Sequence, residues 1–259
     1  MKKRIFITLS LLIWTLTAVI GQESLRVLSF NIHHGNPPAK PGEIDLQGVA
    51  NLILETKADI IGVQEVDVKL SRSNLIDQAK ELAKLTGMEY FFSKGIDLEN
   101  GEYGILILSK HKIIAQRRHV LPMPVASEQR SLAIVDVQLP SGKVVSFANT
   151  HLDLKDENKI AQVDHILELV DLYKRPFILV GDLNSTPDSA PIKALERSFV
   201  RNTSTNGPTH PNVKPKNEID YIMVANHTKF SWKAYKRHPQ AELSDHLAVF
   251  ADLILEGDL

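Results

Sequence analysis

A chain of 259 residues with 43% hydrophobic and 24% charged residues carries enough apolar material for one large core, and no low-complexity run marks it as disordered. Its 30 basic residues against 31 acidic ones, with no block of Lys and Arg interleaved with aromatics, give no sign of an extended nucleic-acid groove. The lack of any cysteine excludes a disulfide framework and lipid attachment through a thiol.

In chain order, the first element is "MKKRIFITLSLLIWTLTAVIGQES". Its basic start (Lys2, Lys3, Arg4), apolar run from Ile5 to Ile20 and small residues ending at Gly21 have the layout of a secretory signal peptide cleaved after Gly21. An uncleaved anchor is the alternative, although the run is short for a span of ~20 residues. Cleavage leaves 27 basic and 31 acidic residues, a net charge of −4, on an exported chain over 22–259. We expect a single domain there, secreted or periplasmic, with no membrane span.

The mature chain then alternates strand-like runs with loops that carry polar groups. "LRVLSFNI" (25–32) ends on Asn31 before His33, His34 and Gly35, and "ADIIGVQEV" (58–66) delivers Gln64 and Glu65. "YGILILSK" (103–110) and "SLAIVDVQL" (131–139) are further strands. "VVSFANTHLD" (144–153) delivers Asn149, His151 and Asp153, and "PFILVGDLN" (176–184) delivers Asp182 and Asn184. "EIDYIMVA" (218–225) carries Asp220 at its start, and "LSDHLAVFADLIL" (243–255) opens with Asp245 and His246. Helical spacing links Leu46, Val49, Ala50 and Ile53, then Leu75, Ile76, Ala79 and Leu82 with Gly87 as a stop. A third amphipathic helix runs through Ile160, Val163, Leu167 and Val170. Many strands with helices between only some of them predict two packed sheets flanked by helices, a layered α/β sandwich. Periodicity alone leaves an open doubly wound sheet in play.

A lone acid or histidine at a strand end is ordinarily structural, with Asp and Asn bonding nearby backbone amides. Here Asn31, Glu65, His151, Asp182, Asn184, Asp220, Asp245 and His246 all fall at strand boundaries, where rigid strands can present side chains from loops. They are hard oxygen donors and imidazoles with no thiol, a set suited to Mg²⁺, Mn²⁺ or Ca²⁺. No HExxH, G-x-S-x-G, G-x-G-x-x-G or Walker A pattern offers another chemistry.

The ordered set "LSFNIHHG", "GVQEVD", "YGILILSK", "NTHLD", "GDLNSTP", "EIDYI" and "SDHLAV" resembles the endonuclease/exonuclease/phosphatase superfamily, from about residue 25 to 255. The resemblance implies a four-layer α/β/β/α sandwich and a divalent-metal-dependent hydrolase of phosphoester bonds. It implies Glu65 as principal metal ligand with Asn31 beside it and Asp245 in the same metal set. His246 is implied as the base that activates water, held by Asp220 or Asp182. His151 is implied as a donor to the phosphate or an acid for the leaving group. Asp182 and Asn184 would position water and a phosphate oxygen, and Tyr103 and Arg130 would contact the phosphate. Arg72 reads either as a substrate-phosphate contact or as a solvated arginine at a helix entry. One departure is His33, where abasic-site nucleases carry an acid two positions after the strand-end Asn, so one fewer carboxylate is expected at the metal. Mg²⁺ is the expected cofactor, with Mn²⁺ or Ca²⁺ as alternatives. The expected substrate is a phosphodiester, with small molecules or lipid head groups favoured over nucleic acid. The alternatives are a deoxyribonuclease-like endonuclease, a phosphomonoesterase for inositol phosphates, and a non-catalytic binding module.

Overall fold

The computed structural model describes residues 23–205, 207–239 and 242–256. The segment read from the sequence as a signal peptide, residues 1–21, lies outside the described residues. Among the described residues, twelve strands and four α-helices follow one another as β1 (Glu23–Asn31), α1 (Leu46–Thr56), β2 (Ile60–Val68), α2 (Gln78–Thr86), β3 (Glu89–Leu98), β4 (Gly101–Ser109), β5 (Lys112–Val120), β6 (Ser131–Gln138), β7 (Val144–His151), α3 (Asp156–Val170), β8 (Phe177–Asp182), α4 (Ala190–Leu195), β9 (Phe199–Arg201), β10 (Asp220–Ala225), β11 (Phe230–Arg237) and β12 (Val249–Leu255).

The strands form two sheets of 6, ordered β11-β12-β1-β2-β4-β3 and β5-β6-β7-β8-β10-β9. Each contains one parallel pair, β1 with β2 and β7 with β8, among antiparallel neighbours. The facing sides share a core that includes Val27, Ile60, Ile107, Val135, Phe147 and Val180. The outer face of the first sheet packs on α1 and α2, and that of the second on α3 and α4. The fold is therefore the expected α/β/β/α sandwich, and not an open doubly wound sheet. Sheet-to-sheet approach is tight at Gly62, where a Cβ would stand 2.4 Å from Val180 Cγ2 and 2.9 Å from Asn149 Cγ.

Two polar residues read from the sequence turn out to tie the sheets together. Gln64 Nε2 donates to Asn149 Oδ1 (2.7 Å), and Asn149 Nδ2 donates to the carbonyls of Val63 and Leu106 (3.0 Å each). Buried amides need such partners, because an unpaired one in a core costs about 1–3 kcal/mol.

Helix starts follow from their caps. Asp45 accepts from Gly48 N at 2.7 Å ahead of α1, and Asp77 accepts from Lys80 N at 3.0 Å ahead of α2. Leu75 and Ile76 therefore precede the second helix, and Leu75 is exposed with φ 57°. Gly87 ends that helix with φ 69°, as expected of a left-handed cap. In α3 the buried stripe is Gln162, Val163, Ile166 and Val170, and Ile160 faces outward. The last run is a strand only from Val249, so Leu243–Ala248 form the loop that carries Asp245 and His246.

Candidate active site

The parallel pairs point the ends of β1, β7 and β8 to one rim of the sandwich. At the end of β1, Asn31 is fully buried and its amide reaches both sheets. Nδ2 donates to Glu65 Oε1 and to Asp182 Oδ2, 3.0 Å each, while Oδ1 accepts from His33 N at 3.1 Å. Glu65 lies inside β2 at a register shift between Val63 and Val66, in a left-handed conformation with φ 59°. A bulge of this kind re-aims a side chain out of the pleat, and non-glycine strain of this sort clusters at functional sites.

Asp182 and Asp220 are register partners on β8 and β10, so two buried carboxylates stand side by side. His246 joins them from its loop. Its Nδ1–H donates to Asp220 Oδ2 at 2.9 Å, and its Nε2 stands 3.6 Å from Asp182 Oδ2. Thr209 Oγ1 also donates to Asp220 Oδ2, while Asp220 Oδ1 is buried without a partner. Burial and the Asp220 charge push Asp182 up to about 7. Burial pulls the His246 imidazole down, but the charge and hydrogen bond of Asp220, with Asp182 and Asp245, outweigh it and push it up to about 10.

On the other side, Arg130 Nη1 donates to His151 Nδ1 at 3.2 Å, which places the His151 proton on Nε2, 3.5 Å from Asp182 Oδ2. Burial, reinforced by Arg130, His246 and His34, drives His151 well below the ordinary histidine range, so it stands there as a neutral donor. Arg130 also pairs with Glu128 at 2.8 Å, and its buried Nε has no partner. Tyr103, Arg130 and His151 line one small cavity together with Gly95, Gly104 and Ser131. Burial first, then the Glu65 charge, raises the Tyr103 hydroxyl well above its usual range.

The structure thus brings together Asn31, Glu65, Asp182, Asp220, His246, His151, Arg130 and Tyr103. Three further sequence-derived residues, Asn184, Arg72 and Asp245, have these surroundings. Asn184 donates its backbone N–H to Asp182 Oδ1 and its Nδ2 to Leu152 O, 2.9 Å each, so its amide nitrogen braces two loops. Arg72 is neither free in solvent nor unpartnered. It grips Asp67 with two hydrogen bonds of 2.8 and 2.7 Å and lies over the Tyr103 ring at 5.1 Å. Asp245 groups with His210 and His246, its carboxylate 3.8 Å from His210 Nε2.

Sequence reasoning missed four contributors. His210 stacks on His246 with ring centroids 4.7 Å apart, and Thr209 braces Asp220. Both come from a loop with no periodic pattern to mark them. His34 approaches Glu65 Oε2 with its Nε2 at 3.2 Å, and the buried Asp67 lies behind it. The "HHG" and "QEVD" stretches were the only signal for that pair.

The donor set suits a hard divalent cation. Glu65 Oε2 faces the site, carboxylates crowd the same rim, and no sulfur is present.

The sequence profile described as the endonuclease/exonuclease/phosphatase family matches residues 28–246. The chain belongs to this family. A curated relative, the uncharacterized protein YbhP of Escherichia coli K12, is 25% identical over 248 residues, covering 90% of this chain and 98% of the relative. The solved endonuclease/exonuclease/phosphatase of Beutenbergia cavernae superposes with a TM-score of 0.78 at 25% identity, covering 90% of this chain and 72% of that one. The mannosyl-6-phosphatase of Bacteroides thetaiotaomicron shares the fold at a TM-score of 0.73 and 19% identity, covering 89% of this chain and 100% of its own. Members of the endonuclease/exonuclease/phosphatase family are generally phosphoester hydrolases, and the residues matched here include every strand end that faces the site.

Proposed function

We propose that this chain is an exported, divalent-metal-dependent phosphoesterase that cleaves a P–O bond by in-line attack of water, on a small phosphodiester or a lipid head group. Mg²⁺ is the favoured ion, with Mn²⁺ or Ca²⁺ as substitutes. The observation that carries the reading is the His246 ring, fixed by Asp220 at Nδ1 and open at Nε2 beside Asp182. A carboxylate on one ring nitrogen sets the tautomer and supports the cation that forms when the other nitrogen takes a proton from water.

Glu65, aided by Asn31, would hold the ion. When bound, the ion supplies Lewis acidity to a phosphoryl oxygen and offsets the carboxylate charge that otherwise keeps His246 protonated. Asp182 sits where it can align the attacking water against His246. Neutral His151, with its proton on Nε2, is placed to donate to a phosphate oxygen, and Arg130 has an unused buried Nε to do the same.

The charge around the site supports a small substrate. Arg72 is matched by Asp67, Arg130 by Glu128 and Lys159 by Asp156, so these three cations already have a carboxylate each. A polymer would need many uncommitted phosphate contacts.

A substrate panel tests this reading: lipid phosphodiesters, inositol phosphates, a small aryl phosphodiester and plasmid DNA, each with Mg²⁺ at physiological salt. Turnover of the small or lipid diesters with intact plasmid is expected. Efficient nicking of the plasmid with no turnover of the others would overturn the substrate assignment.

A further inference from the structure

We propose that His34 is a nitrogen ligand of the divalent ion held by Glu65, oriented by Asp67, so that the site presents a mixed nitrogen and oxygen donor set. This rests on the metal-dependent reading above.

The starting point is an imidazole with a carboxylate at each end. His34 Nε2 is 3.2 Å from Glu65 Oε2, and His34 Nδ1 is 3.6 Å from Asp67 Oδ1. In its neutral form the imidazole has one N–H and one lone pair, so one of its two ends then faces a carboxylate with no proton between them. If the proton is on Nδ1, toward Asp67, the Nε2 lone pair points at Glu65. A cation between them removes the conflict. A ligating histidine commonly donates its other ring N–H to a carboxylate, which puts carboxylate, histidine and metal in a row.

The oxygens are apportioned accordingly. Asn31 takes Glu65 Oε1, which leaves Oε2 as the oxygen that His34 faces. His34 Nδ1 is buried with no hydrogen-bond partner at its present distance, so a shift of a few tenths of an ångström toward Asp67 completes the row.

The surroundings are built to hold this geometry. Asp67 is fully buried and locked by the two Arg72 bonds. Gln78, also fully buried, clasps both segments: its Nε2 donates to His34 O at 2.5 Å and its Oε1 accepts from Asp67 N at 2.9 Å. The backbone at His33, His34 and Gly35 is left-handed throughout, with φ of 47°, 54° and 67°. Glu65 is left-handed too, at φ 59°. Strain at both partners of one contact is the pattern of a site over-determined by its supports.

The consequence is selectivity. Imidazole nitrogen favours first-row transition ions over Mg²⁺, which prefers oxygen and water. The missing acid at position 33 is then compensated one residue later by a softer donor.

The full chain, stripped of metal by chelation, is titrated with Mn²⁺ and with Mg²⁺ by calorimetry, and the Mn²⁺ complex is examined by electron spin-echo spectroscopy for ¹⁴N coupling. Wild type is expected to bind Mn²⁺ more tightly than Mg²⁺ and to show ¹⁴N coupling. His34→Ala should lose that coupling and weaken Mn²⁺ binding by about tenfold or more, with a smaller loss for Mg²⁺. His33→Ala should keep the coupling. Mn²⁺ binding by wild type without ¹⁴N coupling overturns the ligand assignment alone, whatever the folding of the variants. So does coupling that persists in His34→Ala. Failure of wild type to bind either ion overturns the metal-dependent reading as well.

Discussion

The Asn31 amide joins Glu65 of the first sheet to Asp182 of the second, donating one hydrogen to each carboxylate at 3.0 Å. One buried side chain therefore sets the spacing between two acids that would otherwise repel. Hydrogen bonds to charged groups contribute about 1.5–3 kcal/mol each. We expect Asn31→Ala to lower unfolding stability by about 2–4 kcal/mol in the metal-free protein, a sum reduced by relaxation of the two carboxylates. Added Mg²⁺ should recover part of the loss by offsetting the repulsion. Thermal unfolding with and without Mg²⁺ measures both effects, and a variant as stable as wild type would show that the bridge is idle.

His246 and Asp220 should act as one unit. Removing a general base typically lowers rate by ~10²–10⁴. His246→Ala is expected to lose kcat in that range with little change in KM. Asp220→Asn keeps the shape but removes the acceptor charge that holds Nδ1–H, so it should lose kcat as well. The double variant should be little worse than His246→Ala, because groups acting together are not additive. Steady-state kinetics on all three decide it, and a double variant whose losses multiply would separate the two residues.

Much of this arrangement was legible in the sequence because it lies on inner strands. The eight runs read as strands correspond to β1, β2, β4, β6, β7, β8, β10 and β12, each flanked on both sides within its sheet. The four that escaped are β3, β5, β9 and β11, the edges of the two sheets. Edge strands face water on one side and carry charges against pairing with other chains. "KIIAQRRHV" of β5 shows why, with Arg117 and Arg118 where an inner strand would carry Val or Ile. The site was legible wherever a donor followed an apolar run, as with Asn31, His151 and Asp182. His210 and Thr209 come from an irregular loop placed only by tertiary folding. His34 was visible, but its direction depends on three successive left-handed residues that no periodicity encodes.

Asp153 supplies a prediction away from the chemistry. It is buried at the start of the segment leading into α3 and accepts from Ser127 Oγ, Lys155 N and Asn158 Nδ2 at 2.9 Å each. Burial alone would raise its carboxyl, but these hydrogen bonds outweigh burial and hold it below the ordinary value of 3.8. A carboxyl lowered on folding adds stability that is present above the unfolded value and is lost as pH falls through the folded one. Asp153→Asn should therefore cost stability at pH 7, by about 1–3 kcal/mol, and less at pH 3. Urea unfolding at the two pH values checks this, and an equal loss at both would contradict it.

Glu65 is expected to anchor an ion without which water is not activated. The measurement that tests it most directly is hydrolysis of bis(p-nitrophenyl) phosphate by the chelator-treated protein, followed by back-titration with Mg²⁺ or Mn²⁺, in wild type and in Glu65→Ala. We expect no turnover after chelation, recovery in wild type that tracks ion occupancy, and recovery in Glu65→Ala only at far higher ion concentration. Undiminished turnover by wild type in excess EDTA would contradict it.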